Sequence, residues 1–330
     1  MHKPTKKILL FGPMPSPMGG VSVHLSRLLY KSKDEADLEL AVFDFRKVKL
    51  FRVEGQSGFW SMLLFFLKSS IVHIHYAHTA KVPIAIVSKL FGKKVFFTQH
   101  NMYGVDHPST KRILAIADKV ILVNPTMVPI PSKKMVVVPA FIPDTIGVSE
   151  NVFFKRIASE YENVIMAIST HTRHHPSLID GKDVYGFDLA IEAVKACELQ
   201  KKTVLVLVDA AGVWKDKYLP SATIPLNENI DMLYLTEAID FTSALPYCTL
   251  FLRPTRTDGD ALSVREALAD GIKVVASDAS LRPAGVFLFE NDSVSSLTSV
   301  LTLALSTAII ESPEQPDFSK EVFWLYRNAD

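Results

Sequence analysis

Short apolar runs alternate along the chain with stretches in which apolar residues recur at helical spacing. In the first half the apolar runs occupy residues 7–12, 38–45, 70–76, 94–100, 119–124 and 134–139. In the second half they occupy residues 164–170, 203–210, 231–236, 248–253 and 273–277, and a helix is predicted over 185–197. Strands that alternate with helices are typical of βαβ units in a parallel sheet. The pattern therefore predicts an α/β fold.

The alternation breaks once, over residues 140–163, where Pro143 and Gly147 precede a polar stretch. A chain of 330 residues is longer than one hydrophobic core usually supports. We therefore predict a linker near 141–150, an N-terminal domain over 1–145, a second α/β domain over 146–310 and a helical tail over 311–330 that could return to the N-terminal domain. Ligands bind at the carboxyl ends of parallel strands and between domains, so the search for a site is confined to those loops.

Composition narrows the class of partner and the cellular compartment. The 36 Lys and Arg residues balance 35 Asp and Glu, so we expect no nucleic-acid partner, and any anion site must be local. The two cysteines, Cys197 and Cys248, fit a reducing cytosol, although the sequence leaves a disulfide between them open. The first apolar run is too short for a signal peptide, and the longest, 59–67, is about half a membrane span. We expect a cytoplasmic protein that could touch the inner face of a membrane.

The segment "RTDGDALSVREALADGIKVVASD" (256–278) carries more charge than a strand connection needs. Ser263 and Glu266 have the spacing of a capping box, in which the glutamate only closes the first helical turn. Alternatively, the helix N-terminus binds a diphosphate, and the paired oxygens of Glu266 accept from the two hydroxyls of a ribose. These two interpretations are about equally supported by the segment alone.

This segment resembles the acid-x7-acid signature of retaining glycosyltransferases of the GT-B fold, the family 4-like enzymes of bacterial polysaccharide and lipid-linked sugar synthesis. The matching positions are Pro254-Thr255, Asp258, Gly259, Glu266, Gly271 and Val274-Val275-Ala276. Asp258 stands where the family usually has Glu, and Asp260-Ala261 stands where it has Phe-Gly. The resemblance implies two facing Rossmann-like domains with an interdomain cleft, and it implies roles for Ser263 and Glu266 in donor binding and for Asp258 at the transferred sugar.

Other loops carry the same resemblance. In "GPMPSPMGG" the pair Gly19-Gly20 looks like the family's first loop, where backbone approaches the donor or acceptor; the alternative is an ordinary turn. The stretch is not the G-x-G-x-x-G fingerprint, which argues against a nicotinamide enzyme. His73 and His75 share one face of a strand and are interpreted as satisfied polar groups. The resemblance places His100 at the transferred sugar, as a catalytic residue.

The loop "STHTRHHPSLIDGKDVYG" corresponds to the family's Gly-Arg and Lys-Gly elements, whose two cations clamp the diphosphate. Here Tyr185 precedes Gly186 in place of the lysine. The clamp must then be formed by Arg173 and Lys182, or by Arg253 and Arg256, or be weaker than in the family. The histidines at 171, 174 and 175 lack the cysteine or acid that would complete a familiar zinc set, so no metal site is predicted.

The resemblance implies a retaining transferase that moves a sugar from a nucleoside diphosphate to a saccharide or lipid-linked acceptor, with no cofactor and no required metal. One alternative is a non-catalytic subunit of the same fold that binds a sugar nucleotide or a partner protein, which Tyr185 favours. Another is a sugar-nucleotide epimerase. The apolar helix at 59–68 follows Lys47, Lys49 and Arg52, so it could lie in a membrane interface. We favour the other interpretation, a buried helix that covers the sheet.

Overall fold

The chain forms two compact units. The computed structural model describes residues 5–16, 19–100, 106–127, 132–144, 149–171, 176–308 and 314–329. Unit 1 comprises Met1–Asp144 and Pro316–Asp330, and unit 2 comprises Thr145–Gln315. The C-terminal segment thus belongs to the same unit as the N-terminal half of the chain.

Unit 1 contains an eight-stranded sheet in the order β4-β3-β2-β1-β5-β6-β7-β8. Its strands are β1 Lys6–Phe11, β2 Leu38–Asp44, β3 Lys49–Arg52, β4 Gly55–Ser57, β5 Ile71–Ile74, β6 Lys94–Gln99, β7 Lys119–Leu122 and β8 Met135–Val137. Its helices are α1 Gly20–Lys31, α2 Phe59–Lys68, α3 Lys81–Leu90 and α4 Pro108–Ile116, with the C-terminal α10 Ser319–Arg327. The pairs from β2 through β1 to β8 are parallel, whereas β3 and β4 add antiparallel pairs at one edge.

The two faces of this sheet carry different helices. Ile8 and Leu10 of β1 belong to one buried cluster with Leu25 of α1 and Tyr326 of α10. Side chains alternate between faces along a strand, so Phe11 points to the other face. There the Phe11 ring meets Phe43 of β2 at 6.1 Å between centroids, and Phe43 meets Phe59 of α2 at 6.3 Å. Helices α1 and α10 therefore cover one face, and α2 covers the opposite one.

Unit 2 contains a seven-stranded sheet in the order β13-β14-β12-β9-β15-β16-β17, with a separate hairpin of β10 and β11. Its strands are β9 Asn163–Ser169, β10 Leu178–Ile179, β11 Lys182–Asp183, β12 Thr203–Asp209, β13 Thr223–Pro225, β14 Ile230–Leu235, β15 Leu250–Arg253, β16 Lys273–Ser277 and β17 Val286–Phe289. Its helices are α5 Val152–Glu160, α6 Phe187–Ala196, α7 Phe241–Ala244, α8 Leu262–Ala269 and α9 Val294–Ser306. Within the large sheet only β13 pairs antiparallel.

Each predicted apolar run forms a strand, and the predicted α/β class is confirmed. Strand β12, which the run 203–210 predicted, is buried along its whole length because helices cover both faces of a parallel sheet. The antiparallel additions β3, β4 and β13 were not predicted, since they are short and largely exposed.

The preferred interpretation of α2 as a buried helix is only half right. Met62, Phe65 and Phe66 are buried against the sheet, whereas Trp60 and Leu64 are exposed. Within the described part of the chain, no helix has the length and apolar content that crossing a bilayer requires.

Candidate active site

The carboxyl edge of the unit 2 sheet gathers polar side chains from four neighbouring parallel strands. Strands β9, β12, β15 and β16 end at Ser169, Asp209, Arg253 and Ser277. All four residues are buried, and the Ser169 hydroxyl donates to Asp209 at 2.9 Å. Apolar strands that all end in buried polar groups identify this edge as the candidate ligand site of the unit.

Asp258, in the loop after β15, holds two arginines. Its Oδ2 accepts from Arg253 Nε at 3.0 Å and from Arg282 Nη1 at 3.0 Å. Thr255 and the Gly259 N–H donate to the same carboxylate. Burial alone would raise the pKa of Asp258, but the two guanidinium groups outweigh it and hold that pKa well below its usual range. In the described structure, the carboxylate predicted to touch the sugar thus fixes two cations at the strand ends.

Tyr185 also contacts one of these cations. Its hydroxyl bonds Thr170 Oγ1 at 2.7 Å, and the Arg253 guanidinium lies 5.5 Å from its ring centroid. A cation over a tyrosine ring is attracted by the negative face of the ring. Tyr185 therefore supplies no positive charge itself, at a position where the family that the sequence resembles has a lysine, but it packs beside the positive charge of Arg253.

Gly186 follows as the N-cap of α6, immediately before the first residue of the helix. Its φ of 66° lies in the left-handed region, and a Cβ at this position would stand 2.1 Å from the Pro254 carbonyl oxygen. Backbone atoms from the start of α6 and from the end of β15 thus meet where no side chain fits. The tight contact sets the spacing between the Tyr185 loop and the Asp258 loop.

The other predicted clamp cations have different surroundings. Lys182, which is exposed on the hairpin strand β11, forms an ion pair with Asp292. Arg256 is almost fully buried and binds both oxygens of Asp188 at 2.9 Å, as well as Asp292 at 2.8 Å. Arg256 also donates to the Asp183 carbonyl of β11, so it fastens both the hairpin and α6 to this edge. Arg173, together with the histidines at 174 and 175, lies outside the described residues.

Helix α8 begins two residues earlier than a capping box at Ser263 would require. Its N-cap is Ala261, which offers no side-chain cap, and Ser263 is the second residue of the helix. Ser263 and Glu266 are both partly buried in the first two turns. The capping-box interpretation is wrong, because a capping serine must precede the helix. Helix α8 ends at Ala269, and Gly271 follows with a φ of 73°.

In unit 1 the glycine pair stands at the start of α1. Gly19 is the N-cap with an extended φ of −171°, and a Cβ on Gly20 would meet no atom of the described residues within 4 Å. Neither backbone conformation nor crowding by described residues requires glycine here, which leaves room for a ligand to approach the backbone. The preceding loop is held by the buried Asp44, whose Oδ2 accepts from the Met14 N–H at 2.8 Å.

Four histidine rings meet at the carboxyl edge of the unit 1 sheet. His73 bonds Tyr326 Oη at 2.6 Å and Thr98 Oγ1 at 2.7 Å, so it is a satisfied polar group, as predicted. His75 Nδ1 lies 2.9 Å from His100 Nε2, and the rings of His24 and His100 are 5.4 Å apart. The structure thus places the predicted site residue His100 in a group of rings that sequence reasoning did not assemble.

Burial keeps these four rings neutral. It lowers the pKa of His24 to about 4, although the bond to the Ala140 carbonyl opposes the shift, and it lowers that of His73 to about 3. The pKa values of His75 and His100 lie well below the ordinary value because of burial and the neighbouring rings. At neutral pH the group can exchange hydrogen bonds but carries no charge for an anion.

The stability of the chain should therefore fall in mild acid. Below about pH 6.5 the histidines of the unfolded chain bind protons, whereas the buried histidines of the folded chain do not. Each such histidine therefore lowers the free energy of unfolding by about 1.4 kcal/mol for each pH unit below that value. His24→Asn keeps a donor for the Ala140 carbonyl and removes one titrating group. Chemical denaturation between pH 6.5 and pH 4.5 should show a shallower loss of unfolding free energy for this variant.

The matched control is His107→Asn, because His107 caps α4 and asparagine also caps helices. It should leave the cap of α4, and with it the unfolding free energy at pH 7, close to that of the unaltered chain. Equal slopes for His24→Asn and the unaltered chain would contradict a neutral buried His24.

Within the described residues, no group of three or more His, Cys, Asp or Glu side chains has an arrangement that could hold a metal ion. The four rings of unit 1 therefore pack against one another without forming a ligand set.

Two residues at the carboxyl edges of the two sheets, Arg282 and His24, were not predicted from the sequence. Arg282 lies 24 positions beyond its partner Asp258, in a loop with no charged pattern to mark it. His24 lies on α1, and only its spacing of four residues from Gly20 could have drawn attention to it.

Comparison with known proteins identifies the fold. No protein-family model matches the chain, and no curated protein is significantly similar to it in sequence. A glycosyltransferase from Rickettsia africae ESF-5 superimposes with a TM-score of 0.66 at 12% identity, covering 98% of this chain and 98% of that chain. The catalytic domain of starch synthase IV from Arabidopsis thaliana, bound to ADP and acarbose, gives 0.66 at 11% identity, with 99% of each chain covered.

Sucrose-phosphate synthase from Thermosynechococcus elongatus gives a TM-score of 0.64 at 12% identity, covering 98% of this chain and 99% of that chain. These structures are glycosyltransferases with the two-domain GT-B architecture, and their likeness over nearly the whole chain confirms the predicted fold class. At such low identity the likeness concerns the fold.

Proposed function

We propose that this protein is a retaining glycosyltransferase that transfers a sugar from a nucleoside diphosphate to a hydroxyl of a saccharide or lipid-linked saccharide. The observation that carries the proposal is the pair of buried arginines, Arg253 and Arg282, held by Asp258 at the carboxyl edge of a glycosyltransferase-like sheet. The neighbours of known structure include proteins crystallised with UDP or with ADP, which supports a nucleotide donor.

The chemistry assigned to this edge is chiefly electrostatic. When the bond between the sugar and the diphosphate breaks, negative charge grows on the departing phosphate, and fixed cations stabilise that charge without having to reorganise. Arg253 and Arg282 are nearly inaccessible to solvent, so their positions are set before a ligand arrives. The acceptor hydroxyl must approach on the face that the diphosphate leaves, so that configuration is retained, and positioning supplies much of the rate.

The remaining predicted site residues keep their proposed roles. Glu266 would accept from the ribose hydroxyls and Ser263 would bind the donor beside it, both from the first turns of α8. Gly19 and Gly20 would let the donor or acceptor approach the backbone, and His100 would bond the sugar. Lys182 and Arg173 would complete the clamp; Lys182 would have to exchange its Asp292 partner for phosphate. No metal is needed if these cations neutralise the diphosphate.

A second candidate is a non-catalytic subunit of the same fold that binds a sugar nucleotide or a partner protein. Tyr185 favours it, because this residue places an aromatic ring where the family has a cation. The arginines beside that ring are paired with Asp258, which reduces the net positive charge offered to a diphosphate. This candidate binds a nucleotide but releases no product.

Donor turnover distinguishes the candidates. Nucleotide sugars are first screened for an increase in melting temperature, since a ligand of the folded state stabilises it. With a stabilising donor, release of the nucleoside diphosphate only in the presence of an acceptor supports the transferase. Binding without release supports the subunit, and conversion of the donor sugar with no acceptor indicates an epimerase.

Glu266→Ala should weaken nucleotide binding by roughly 10- to 100-fold, the cost of losing hydrogen bonds to a charged group. Isothermal titration calorimetry with the stabilising nucleotide measures the change. Glu192→Ala removes an exposed glutamate from α6 of the same unit and should leave the affinity unchanged. Equal affinities for both variants would remove Glu266 from the donor site.

A further inference from the structure

Helix α2 presents an apolar stripe to solvent. Trp60, Leu64 and Leu67 are spaced four and three residues apart and are 75%, 61% and 51% exposed. Residues at this spacing lie along one side of a helix. The opposite side, with Met62, Phe65 and Phe66, is buried against the sheet. The side chains of this stripe therefore do not contribute to the hydrophobic core of unit 1.

The end of α3 continues this surface. Leu90 and Phe91 are 81% and 56% exposed, and the Phe91 ring meets the Phe66 ring of α2 at 5.5 Å between centroids. Helices α2 and α3 thus meet at their C-terminal ends. We call the exposed side chains Trp60, Leu64, Leu67, Leu90 and Phe91 the apolar face. A contiguous exposed apolar surface commonly marks an interaction site.

Cations lie beside the helix that carries most of the apolar face. Lys68 lies in the last turn of α2, the Arg52 guanidinium stands 5.3 Å from the Phe65 ring, and Lys93 donates to the Leu67 carbonyl at 2.8 Å. A groove of about 340 Å³ at the same end of the helices is lined by Lys6, Lys93 and Lys94 with two serines, and none of the described residues that line it is acidic. From residue 46 to residue 94 the sequence contains nine Lys or Arg and one acidic residue, Glu54.

We propose that the apolar face docks unit 1 on an anionic phospholipid bilayer, with the surrounding cations against the lipid phosphates. A helix with exposed Trp and Leu and flanking lysines is suited to the boundary between headgroups and acyl chains. Lys and Arg residues near such a surface are attracted by its negative potential. A second copy of the chain is a poorer occupant, because it would bring two surfaces of the same positive charge together.

The proposal is tested by co-sedimentation of the full chain with vesicles. Vesicles of phosphatidylcholine alone are compared with vesicles of phosphatidylcholine and phosphatidylglycerol in equal parts, at low and high salt. We expect binding to the anionic vesicles that is at least about tenfold tighter than to the neutral ones, and that weakens with salt because screening shortens the reach of the cations. Weak or equal binding to both compositions at low salt would overturn the proposal.

Two variants assign the binding to this surface. Trp60→Ser with Leu64→Ser should weaken binding to the anionic vesicles at least about tenfold, because two large apolar side chains no longer insert. Lys68→Glu with Lys94→Glu should abolish the preference for anionic lipid. Both lysines are exposed, and Lys94 begins β6 beside the groove.

The matched control is Trp324→Ser. Trp324 is 60% exposed on α10, which covers the opposite face of the same sheet. This variant should bind vesicles like the unaltered chain, and an equal loss in Trp324→Ser and in the Trp60 variant would overturn the proposal. Sedimentation without lipid tests the other occupant: a dimer that the Trp60 variant dissociates would make the surface an interface between copies. None of these binding experiments contains a nucleotide-sugar donor. A negative result would therefore not bear on the proposed transferase activity.

Discussion

Gly186→Ala should lower the free energy of unfolding of the chain by about 3–5 kcal/mol. A left-handed conformation costs a non-glycine residue about 1–2 kcal/mol. The remainder comes from the Cβ, which would stand 2.1 Å from the Pro254 carbonyl oxygen, so that backbone from the start of α6 or from the end of β15 must move. Chemical denaturation of the full chain measures the difference, which is a large fraction of the total stability of a typical domain.

Gly181→Ala separates strain from crowding. Gly181 has a φ of 77°, also in the left-handed region, but a Cβ there would meet no atom within 4 Å in the described part of the chain. It should therefore cost only the backbone strain of about 1–2 kcal/mol. Similar losses for the two variants would mean that Pro254 yields easily and that the contact between the two loops does not set their spacing. A larger loss at Gly186 should also reduce nucleotide binding, because the loops that carry Tyr185 and Asp258 would shift.

The fold could be predicted because its determinants are local. The strands of the parallel sheets are apolar throughout, and their helices repeat apolar residues at helical spacing, so each element is visible in its own sequence. Strand β3 could not be predicted in this way, because its side chains are mostly exposed and it lies near an edge of the sheet. The exposure of one side of α2 could not be predicted either. An apolar helix has the same sequence pattern whether other parts of the protein cover both of its sides or only one.

The candidate site was only partly predictable, because its contacts join distant positions. The motif around Asp258 could be recognised, and the structure places it at the expected strand end. That Asp258 would bind Arg282 depends on two loops meeting after β15 and β16, which no spacing records. The histidine group was only partly predictable for the same reason. Periodicity places His73 and His75 on one face of a strand, but their neighbour His24 belongs to α1, and no spacing in the sequence records that contact.

Asp258→Asn should lower the free energy of unfolding by about 3 kcal/mol at pH 7, near the lower end of the cost of breaking a buried ion pair. The carboxylate is 11% exposed and lies between two guanidinium groups that are still less exposed, so its loss leaves two buried cations without a counter-charge. The same change should reduce any nucleotide-dependent activity, because Arg253 and Arg282 would lose the group that orients them. Chemical denaturation measures the first effect and the donor assay the second.

Asp292→Asn provides the matched control, because Asp292 also bridges two cations, Lys182 and Arg256, but is 34% exposed. Solvent screens such a pair, so the loss should be about 1 kcal/mol or less.

The pH dependence of stability gives a further check on the role of Asp258. The pKa of Asp258 is depressed in the folded state, so its contribution is complete at neutral pH. Below about pH 4 the unfolded carboxyl becomes protonated first, and the contribution is lost as the pH falls toward the folded value. The stabilities of the unaltered chain and Asp258→Asn should therefore converge in acid, whereas a constant difference would show that the charge of Asp258 is not what holds the two arginines.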